Sequence, residues 1–191
     1  MHQLQPQPEV TTSLQLNYLS TSNSVDYLDR VQLAPWVISQ TEVQQVDWLI
    51  LHFNHWFSHL NVTLVKGDFE PEYFPATSNT SAKIQFAHGF FNSALHEISH
   101  WSIAGDKRRR LPDLGYWYAP DGRTAEQQAL FEQVEIKPQA IEWLFATAFG
   151  RKFRVSLDNL NGESGDGSGF KDEVFAQVQR YFTGEAQLPR D

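Results

Sequence analysis

The stretch FAHGFFNSALHEISHWSIAG, residues 86–105, carries His96 and His100 four positions apart, with Glu97 directly after the first histidine. Residues four apart lie on one face of an α-helix, so two imidazoles in this pattern can bind one metal ion. Glu97 is displaced around the helix and lies beside the coordination positions that the histidines leave open. The H-E-x-x-H pattern therefore predicts a metal-binding helix.

The residues around this pattern favour a helix that is buried on one side. Asn92 or Ser93 can cap its start and Gly105 suits its stop. Unpartnered imidazoles and a carboxylate would be costly to bury in such a helix, and a bound cation removes that cost. The alternative is a chance match in which both histidines are ordinary core or surface groups, and the apolar context favours the metal. The apolar residues expected on the buried face are Ala94, Leu95, Ile98 and Ile103.

Composition places the chain among ordinary globular proteins. Its 191 residues suit one domain with a real core, and 14 Phe, 6 Trp and 6 Tyr supply much of the apolar surface. The formal charge of −8 disfavours bulk attraction to nucleic acid or anionic membranes. There is no cysteine, so a metal must be held by histidine and carboxylate, as suits zinc, iron or manganese.

The N-terminal part differs from the rest. Residues 1–40 are polar and predict an extension with a short helix near 25–33, whereas residues 41–191 predict the metal-dependent domain. The start of the chain lacks a basic segment followed by an apolar one, and no run is long enough to cross a bilayer. We expect no membrane association and a cytoplasmic location.

Periodicity and turn residues predict an α+β fold, a single domain with helices packed on a small sheet and a zincin-like motif helix. An apolar stripe at helical spacing runs from Val43 to Leu60. The C-terminal half predicts a helix that opens with a capping box at Thr124 and must kink or restart at Pro138. The remaining segments are strands at 62–65 and 83–87, a turn and edge segment at 67–75, irregular chain at 106–123, a flexible loop at 158–169 and a final helix at 172–182.

A second histidine cluster competes with the first. His52, His55 and His59 are spaced three and four apart on the helix of the apolar stripe. At 100° per residue they fall roughly opposite that stripe, and no carboxylate has the right offset. We therefore expect a solvated face here rather than a set of metal ligands.

Two histidines need a third protein ligand to make a competent site. No histidine follows His100, so the ligand must be a carboxylate. Glu135 is favoured because it lies beside the break expected at Pro138, next to apolar neighbours that predict an inward-facing segment. Glu132, one turn earlier, is the fallback ligand or an acceptor for an imidazole N–H. The helix is expected to place Leu130, Phe131 and Val134 on its apolar side, and the other carboxylates considered are Asp106, Asp113, Asp121, Glu126 and Glu142.

Several linked motifs resemble the bacterial elongation factor P hydroxylase family over about residues 43–182. They are HGF at 88–90, ALHEISHW at 94–101, GYWY at 115–118, PDGR at 120–123 and FEQVEIKPQA at 131–140. The resemblance implies hydroxylation of the lysine of elongation factor P that already carries a β-lysyl group. It also implies that His96, His100 and Glu135 hold the metal.

The resemblance favours one of two chemistries that the ligand set allows. Two histidines and one carboxylate around iron(II) suit an oxygen-using hydroxylase. The same ligands around zinc would activate water for peptide hydrolysis, with Glu97 as the general base. In a hydroxylase, Glu97 would instead orient a ligand, manage a proton or pair with the ammonium groups of the substrate. A binding module with a structural metal is the third alternative.

Further residues are predicted to contact the substrate. Tyr116, with Trp117 and Tyr118, can line a channel whose ring faces attract ammonium groups, or can plug the core. Arg123 is a candidate carboxylate anchor, and His88 is more often structural than catalytic. The basic run at 107–110 is usually a solvated face, but its closeness to the motif helix suggests docking of an acidic protein substrate. No direct nucleic-acid binding is expected.

Overall fold

A computed structural model describes residues 39–116, 122–159 and 168–189. In these residues helices pack against a three-stranded sheet, which confirms the α+β prediction. Residues 1–38, including the helix expected near 25–33, lie outside the described residues. The division of the chain at residue 40 and the zincin-like character of the motif helix stay predictions. The elements are α1 (Glu42–Trp56), β1 (Val62–Lys66), β2 (Glu72–Phe74), β3 (Ala82–Phe86), α2 (Phe91–Ile103), α3 (Ala125–Ala148) and α4 (Ser168–Thr183), with 3₁₀ turns at Ser58–Leu60, Arg108–Arg110 and Pro112–Gly115.

The sheet has the strand order β1-β3-β2, with β3 in the centre. β3 pairs parallel with β1 and antiparallel with β2. Side chains alternate along β3, where Ala82, Ile84 and Phe86 are buried, because successive residues of a strand point to opposite faces. The two predicted strands are confirmed, and the predicted edge segment contains the short edge strand β2.

The main core lies between the sheet, α1 and α2. Phe53 and Phe57 both meet the ring of Trp101 edge-on, with centroids 5.6 and 5.5 Å apart. Trp101 is 2% exposed, so one face of α2 is fixed against α1 by aromatic packing. The predicted apolar face is buried at Ala94, Leu95 and Ile98, whereas Ile103 is half-buried.

The start of α2 differs from the prediction. Its N-cap is Phe90, which makes no side-chain cap hydrogen bond, so capping by Asn92 or Ser93 is wrong. The backbone N–H of Phe91 instead donates to Glu42 Oε1 of α1 at 2.8 Å. A carboxylate at this end satisfies an otherwise unpaired donor and the positive end of the helix dipole. The last helical residue is Ile103, two positions before the predicted stop at Gly105.

The long helix α3 starts as predicted but does not break. Thr124 and Gln127 form the expected capping box, with Gln127 Oε1 accepting the Thr124 N–H at 3.0 Å. The restart at Pro138 is wrong, because one helix runs from Ala125 to Ala148 through it. A proline inside a helix costs about 3 kcal/mol, and burial of the flanking turns can offset that. Ala140 and Ile141, two and three positions after Pro138, are buried.

The buried side of α3 carries polar as well as apolar residues. Leu130 and Val134 are 64% and 42% exposed, so of the predicted apolar side only Phe131 is buried. The other buried residues are the polar Gln128, Glu135, Gln139 and Glu142 and the apolar Pro138, Ala140, Ile141 and Ala146. Hydrophobic periodicity misreads this face because it assumes an apolar interior.

A smaller apolar cluster joins α3 to α4. It contains Ala140, Phe170, Val174 and Val178. α4 begins at Ser168, four residues before the predicted start, so the predicted loop ends too late; its residues 160–167 lie outside the described residues. Among the helices described, none combines the length and apolarity that crossing a membrane requires.

Candidate metal centre

Helices α2 and α3 pack together and bring His96, His100 and Glu135 to one point. Each of the three offers a ligand atom within 4.8 Å of the others. Nε2 of His96 lies 3.0 Å from Nε2 of His100, and the Glu135 oxygens lie 3.2 Å from His100 Nε2 and 3.6 Å from His96 Nε2. In the described part of the chain, these three residues form the group of at least three histidine, cysteine, aspartate or glutamate side chains that could hold a metal ion.

These separations fit a first-row metal. Ligand atoms about 2.1 Å from an ion lie roughly 3.0 Å apart in octahedral geometry and roughly 3.4 Å apart in tetrahedral geometry. The observed separations of 3.0–3.6 Å cover both values. The donor set of two imidazoles and one carboxylate therefore suits a divalent cation of the iron or zinc type.

Burial explains why a cation fits this point. Glu135 is 2% exposed and His100 is 6% exposed. The side chain of His96 keeps 27% of its surface, so the group opens to solvent on the His96 side. Glu135 also accepts a hydrogen bond from Gln139 Nε2 at 3.4 Å. A buried carboxylate facing two imidazoles is stabilised by a shared positive charge.

A second carboxylate of α3 holds the histidine ring. Oε2 of Glu142 lies 2.9 Å from Nδ1 of His96. Donation of Nδ1–H to this oxygen leaves the lone pair of Nε2 directed at the ligand cluster. The prediction that Glu132 accepts an imidazole N–H is wrong, because Glu132 accepts a hydrogen bond from Gln128 Nε2 at 3.2 Å. Glu142, a candidate third ligand in the sequence, takes this position instead.

The spacing of polar residues on α3 could have indicated from the sequence that Glu142 belongs to the site. Glu135, Gln139 and Glu142 lie at positions i, i+4 and i+7, which share one helix face. All three are buried, and Gln139 further donates to the carbonyl of Ser156 at 2.8 Å. A polar stripe at helical spacing therefore indicates a polar buried site.

The charges of the cluster act strongly on His96. Burial lowers the pKa of His96. The hydrogen bond with Glu142 and the charges of Glu135, Glu97 and Glu142 outweigh this effect and raise the pKa to about 10. Glu97 is only partly accessible. Burial raises the pKa of the Glu97 carboxyl, the two histidines oppose this, and Glu135 and Glu142 add to it. Glu97 thus lies in the field of this cluster without being one of the three converging groups.

An aromatic side chain borders the centre. The ring of Tyr116 meets the ring of His100 edge-on, with centroids 5.7 Å apart. Tyr116 is half-buried, and burial raises the pKa of its hydroxyl. The neighbouring predicted residues, Trp117 and Tyr118, lie outside the described residues.

Arg123 is placed in a separate network. It is 2% exposed, and its Nε donates to Gln128 Oε1 at 2.9 Å. Its Nη2 donates to the carbonyl oxygens of Leu157 and Asp158, and its guanidinium lies 4.0 Å from the Phe131 ring centroid. These contacts favour a structural role, and substrate binding by Arg123 stays a prediction.

The other histidines considered lie apart from the three converging groups. His88 is exposed and has a φ of 55° in the turn before α2. His55 at the end of α1 and His59 in the 3₁₀ turn after it are exposed, whereas His52 of α1 is half-buried and its ring stacks on Trp48 with centroids 4.1 Å apart. The prediction that these three histidines share one helix is therefore wrong for His59. Within the described residues, none of the three belongs to a potential metal group.

Comparison with known proteins gives the same family as the motifs. A family model described as elongation factor P hydroxylase matches residues 52–190, which include all three converging residues. The curated elongation factor P lysine hydroxylase of Haemophilus influenzae is 51% identical over 144 residues, covering 74% of this chain and 80% of that protein.

Proposed function

The chain belongs to the elongation factor P hydroxylase family, and we propose that it hydroxylates the β-lysylated lysine of elongation factor P. The observation that supports this most directly is the convergence of His96, His100 and Glu135 on one point between α2 and α3. Two histidines and one carboxylate leave coordination positions for reactants, as oxygen-using iron enzymes require. The reaction would take place in the cytoplasm, without membrane or direct nucleic-acid binding.

His96 Nε2, His100 Nε2 and one oxygen of Glu135 would hold a divalent metal, with iron(II) as the proposed ion. When bound, iron(II) supplies the activation of dioxygen that insertion of oxygen into a C–H bond requires. The protein keeps these ligands in place through aromatic packing of α2 and through the Glu142 contact at 2.9 Å. Their positions are thereby set before the reactants arrive.

The remaining groups suit a cationic side chain. Glu97, Glu135 and Glu142 lie close enough to His96 for all three charges to act on it. Carboxyl groups this close to the candidate metal site can pair with the ammonium groups of a cationic side chain. We propose that Glu97 pairs with an ammonium group of the β-lysyl side chain. We propose that Tyr116, and Tyr118 beyond the described residues, line its path and attract it with their ring faces.

The other chemistry of this ligand set is zinc-dependent hydrolysis. Glu97 has the position in sequence that a general base would need. The matched family and the curated relative both carry the name of a hydroxylase, however, and give a peptidase no support. We therefore propose hydroxylation alone.

The test is an assay of the chain purified without oxygen and analysed for metal. Iron-loaded protein, given oxygen, a reductant and β-lysylated elongation factor P, should add the mass of one oxygen atom to the modified lysine. Unmodified factor should gain much less. Two results would overturn the proposal. One is tightly bound zinc in the purified chain together with cleavage of elongation factor P, and the other is no mass gain with fully iron-loaded protein.

A further inference from the structure

The candidate centre and the surface beside it carry opposite charges. Oxygens of Glu135 and Glu142 lie 3.6 and 2.9 Å from the ring nitrogens of His96, and Glu97 is the next residue along α2. Just after α2, the chain runs Lys107-Arg108-Arg109-Arg110 in a protein with a net charge of −8. Lys107, Arg108 and Arg110 are exposed. Among the ion pairs between described residues, none uses these three cations.

Arg109 differs from its neighbours because it anchors the run. Its guanidinium lies 4.0 Å from the Trp101 ring centroid, and its Nη2 donates to the Trp101 carbonyl at 2.9 Å. The carbonyl of Arg109 accepts a hydrogen bond from the Tyr73 hydroxyl at 2.8 Å. The run is therefore fixed both to the end of the motif helix and to β2, and its exposed cations project from a fixed backbone.

Arg108 connects the run to the centre. Its guanidinium lies 3.7 Å from the ring centroid of Tyr116. That ring also meets the ring of His100, with centroids 5.7 Å apart. The basic surface thus begins two side chains away from a candidate metal ligand.

We propose that Lys107, Arg108 and Arg110 form a docking surface for an acidic face of the protein substrate, next to the side chain that is modified. This inference rests on the proposed function. A cationic surface repels the reacting ammonium groups, so it must contact another part of the partner. A partner with a cationic side chain projecting from acidic surroundings would match both the centre and its rim.

The same charges favour a protein over nucleic acid as the partner. Three exposed cations would neutralise only a few phosphates, and the acidic remainder of the protein would repel the others. Carboxylates on one protein face can be matched in number and position by a small cluster.

The experiment measures how iron-loaded chain binds β-lysylated elongation factor P without oxygen, at low and moderate salt. The variant Lys107→Glu/Arg110→Glu should raise Kd by about tenfold at low salt and flatten its salt dependence. Arg109 is left intact because its contacts are structural. The control Lys171→Glu/Arg180→Glu makes the same change of net charge at exposed positions of α4 and should bind like the native chain.

Other outcomes would overturn the proposal. These are an unchanged Kd in the Lys107→Glu/Arg110→Glu variant, an equal loss in the control, or competition by a short single-stranded RNA for the same surface. The metal content of each variant is measured in parallel, and normal content shows that the centre is intact. Failure of the proposed function would look different from failure of the docking surface. The native chain would then bind the modified elongation factor P, or load iron, without adding oxygen to the lysine.

Discussion

Helices α1 and α2 both carry histidines at helical spacing, but within the described residues those of α2 alone lie beside a carboxylate that could complete a metal site. His96 and His100 face α3, where Glu135 lies 3.2 Å from His100 Nε2. His55 at the end of α1 and His59 in the 3₁₀ turn after it are exposed, and His52 Nδ1 lies 2.7 Å from the carbonyl of Trp48 in its own helix. Spacing thus supplies two ligands in either helix, and the neighbouring element decides whether a centre can form.

The difference follows from which face each helix buries. α1 buries Val46, Leu49 and Phe53, whereas its His55 is exposed and its His52 is half-buried. α2 is packed on two sides, by the apolar core and by the side of α3 that carries Glu135 and Glu142. An imidazole between two helices loses water and gains fixed partners, whereas one at the surface keeps its water.

The largest effect should come from removing the third ligand. Glu135→Ala leaves the histidines of α2, like those of α1, without a neighbouring carboxylate ligand. We expect metal affinity to fall by at least about a hundredfold and hydroxylation to stop. Metal analysis after anaerobic purification measures this. Glu132→Ala, one turn away on the same helix, is the matched control and should keep its metal. Stoichiometric metal in Glu135→Ala would break the comparison.

A smaller loss is expected when the ring of His96 is no longer held. Glu142→Ala removes the acceptor at 2.9 Å from Nδ1, and metal affinity should fall by about 10–100-fold. Glu142→Gln keeps an acceptor oxygen and should recover part of that loss. Competition with a chelator gives both affinities. Equal affinities in native chain, Ala and Gln variants would show that Glu142 does not position His96.

The two helices are joined at Glu42, and its loss should reduce stability moderately. Both Glu42 oxygens accept hydrogen bonds from Arg151 Nη2, at 3.0 and 2.8 Å, and Oε1 also accepts the Phe91 N–H at the start of α2. Glu42→Gln should cost about 1 kcal/mol, a value kept low because the Glu42 side chain is 39% exposed. Urea unfolding measures it, and Glu70→Gln, at an exposed position, is the control.

The Glu42 contribution should also depend on pH. Burial raises the pKa of Glu42, but the Phe91 hydrogen bond and Arg151 lower it more, so the net pKa lies below 4.5. A depressed folded pKa stabilises the protein above the unfolded value and loses that effect as pH falls through the folded one. The stability gap between native chain and Glu42→Gln should therefore shrink below pH 4.5. A gap that widens there would contradict the assignment.

The smallest effect is expected from His55, at the end of α1, and His59, in the 3₁₀ turn after it. His55→Ala/His59→Ala removes two exposed side chains and should change stability by less than about 0.5 kcal/mol. Metal content should equal that of the native chain. His96→Ala/His100→Ala is the matched pair on α2 and should lose the metal. Loss of metal in His55→Ala/His59→Ala alone, with normal metal in His96→Ala/His100→Ala, would reverse the comparison.

Local chemistry explains which elements were predictable. The Thr124 capping box, the strands and the apolar face of α2 depend on residues near each other in sequence, and the structure confirms them. The continuity of α3 through Pro138 and the Glu42 cap of α2 depend on distant packing. The prediction of Glu135 as a ligand depends partly on a helix break that α3 does not have, although Glu135 does lie beside the two histidines.

The sequence by itself determined the family and the pair of histidines on one helix turn, and it predicted a carboxylate as their candidate third ligand. Only the tertiary structure decided that α3 turns Glu135 and Glu142 inward while leaving Leu130 and Val134 exposed. It likewise decided which histidine helix faces a carboxylate. The physical reason is that a helix repeat fixes which residues share a face, whereas packing between distant elements fixes what that face meets.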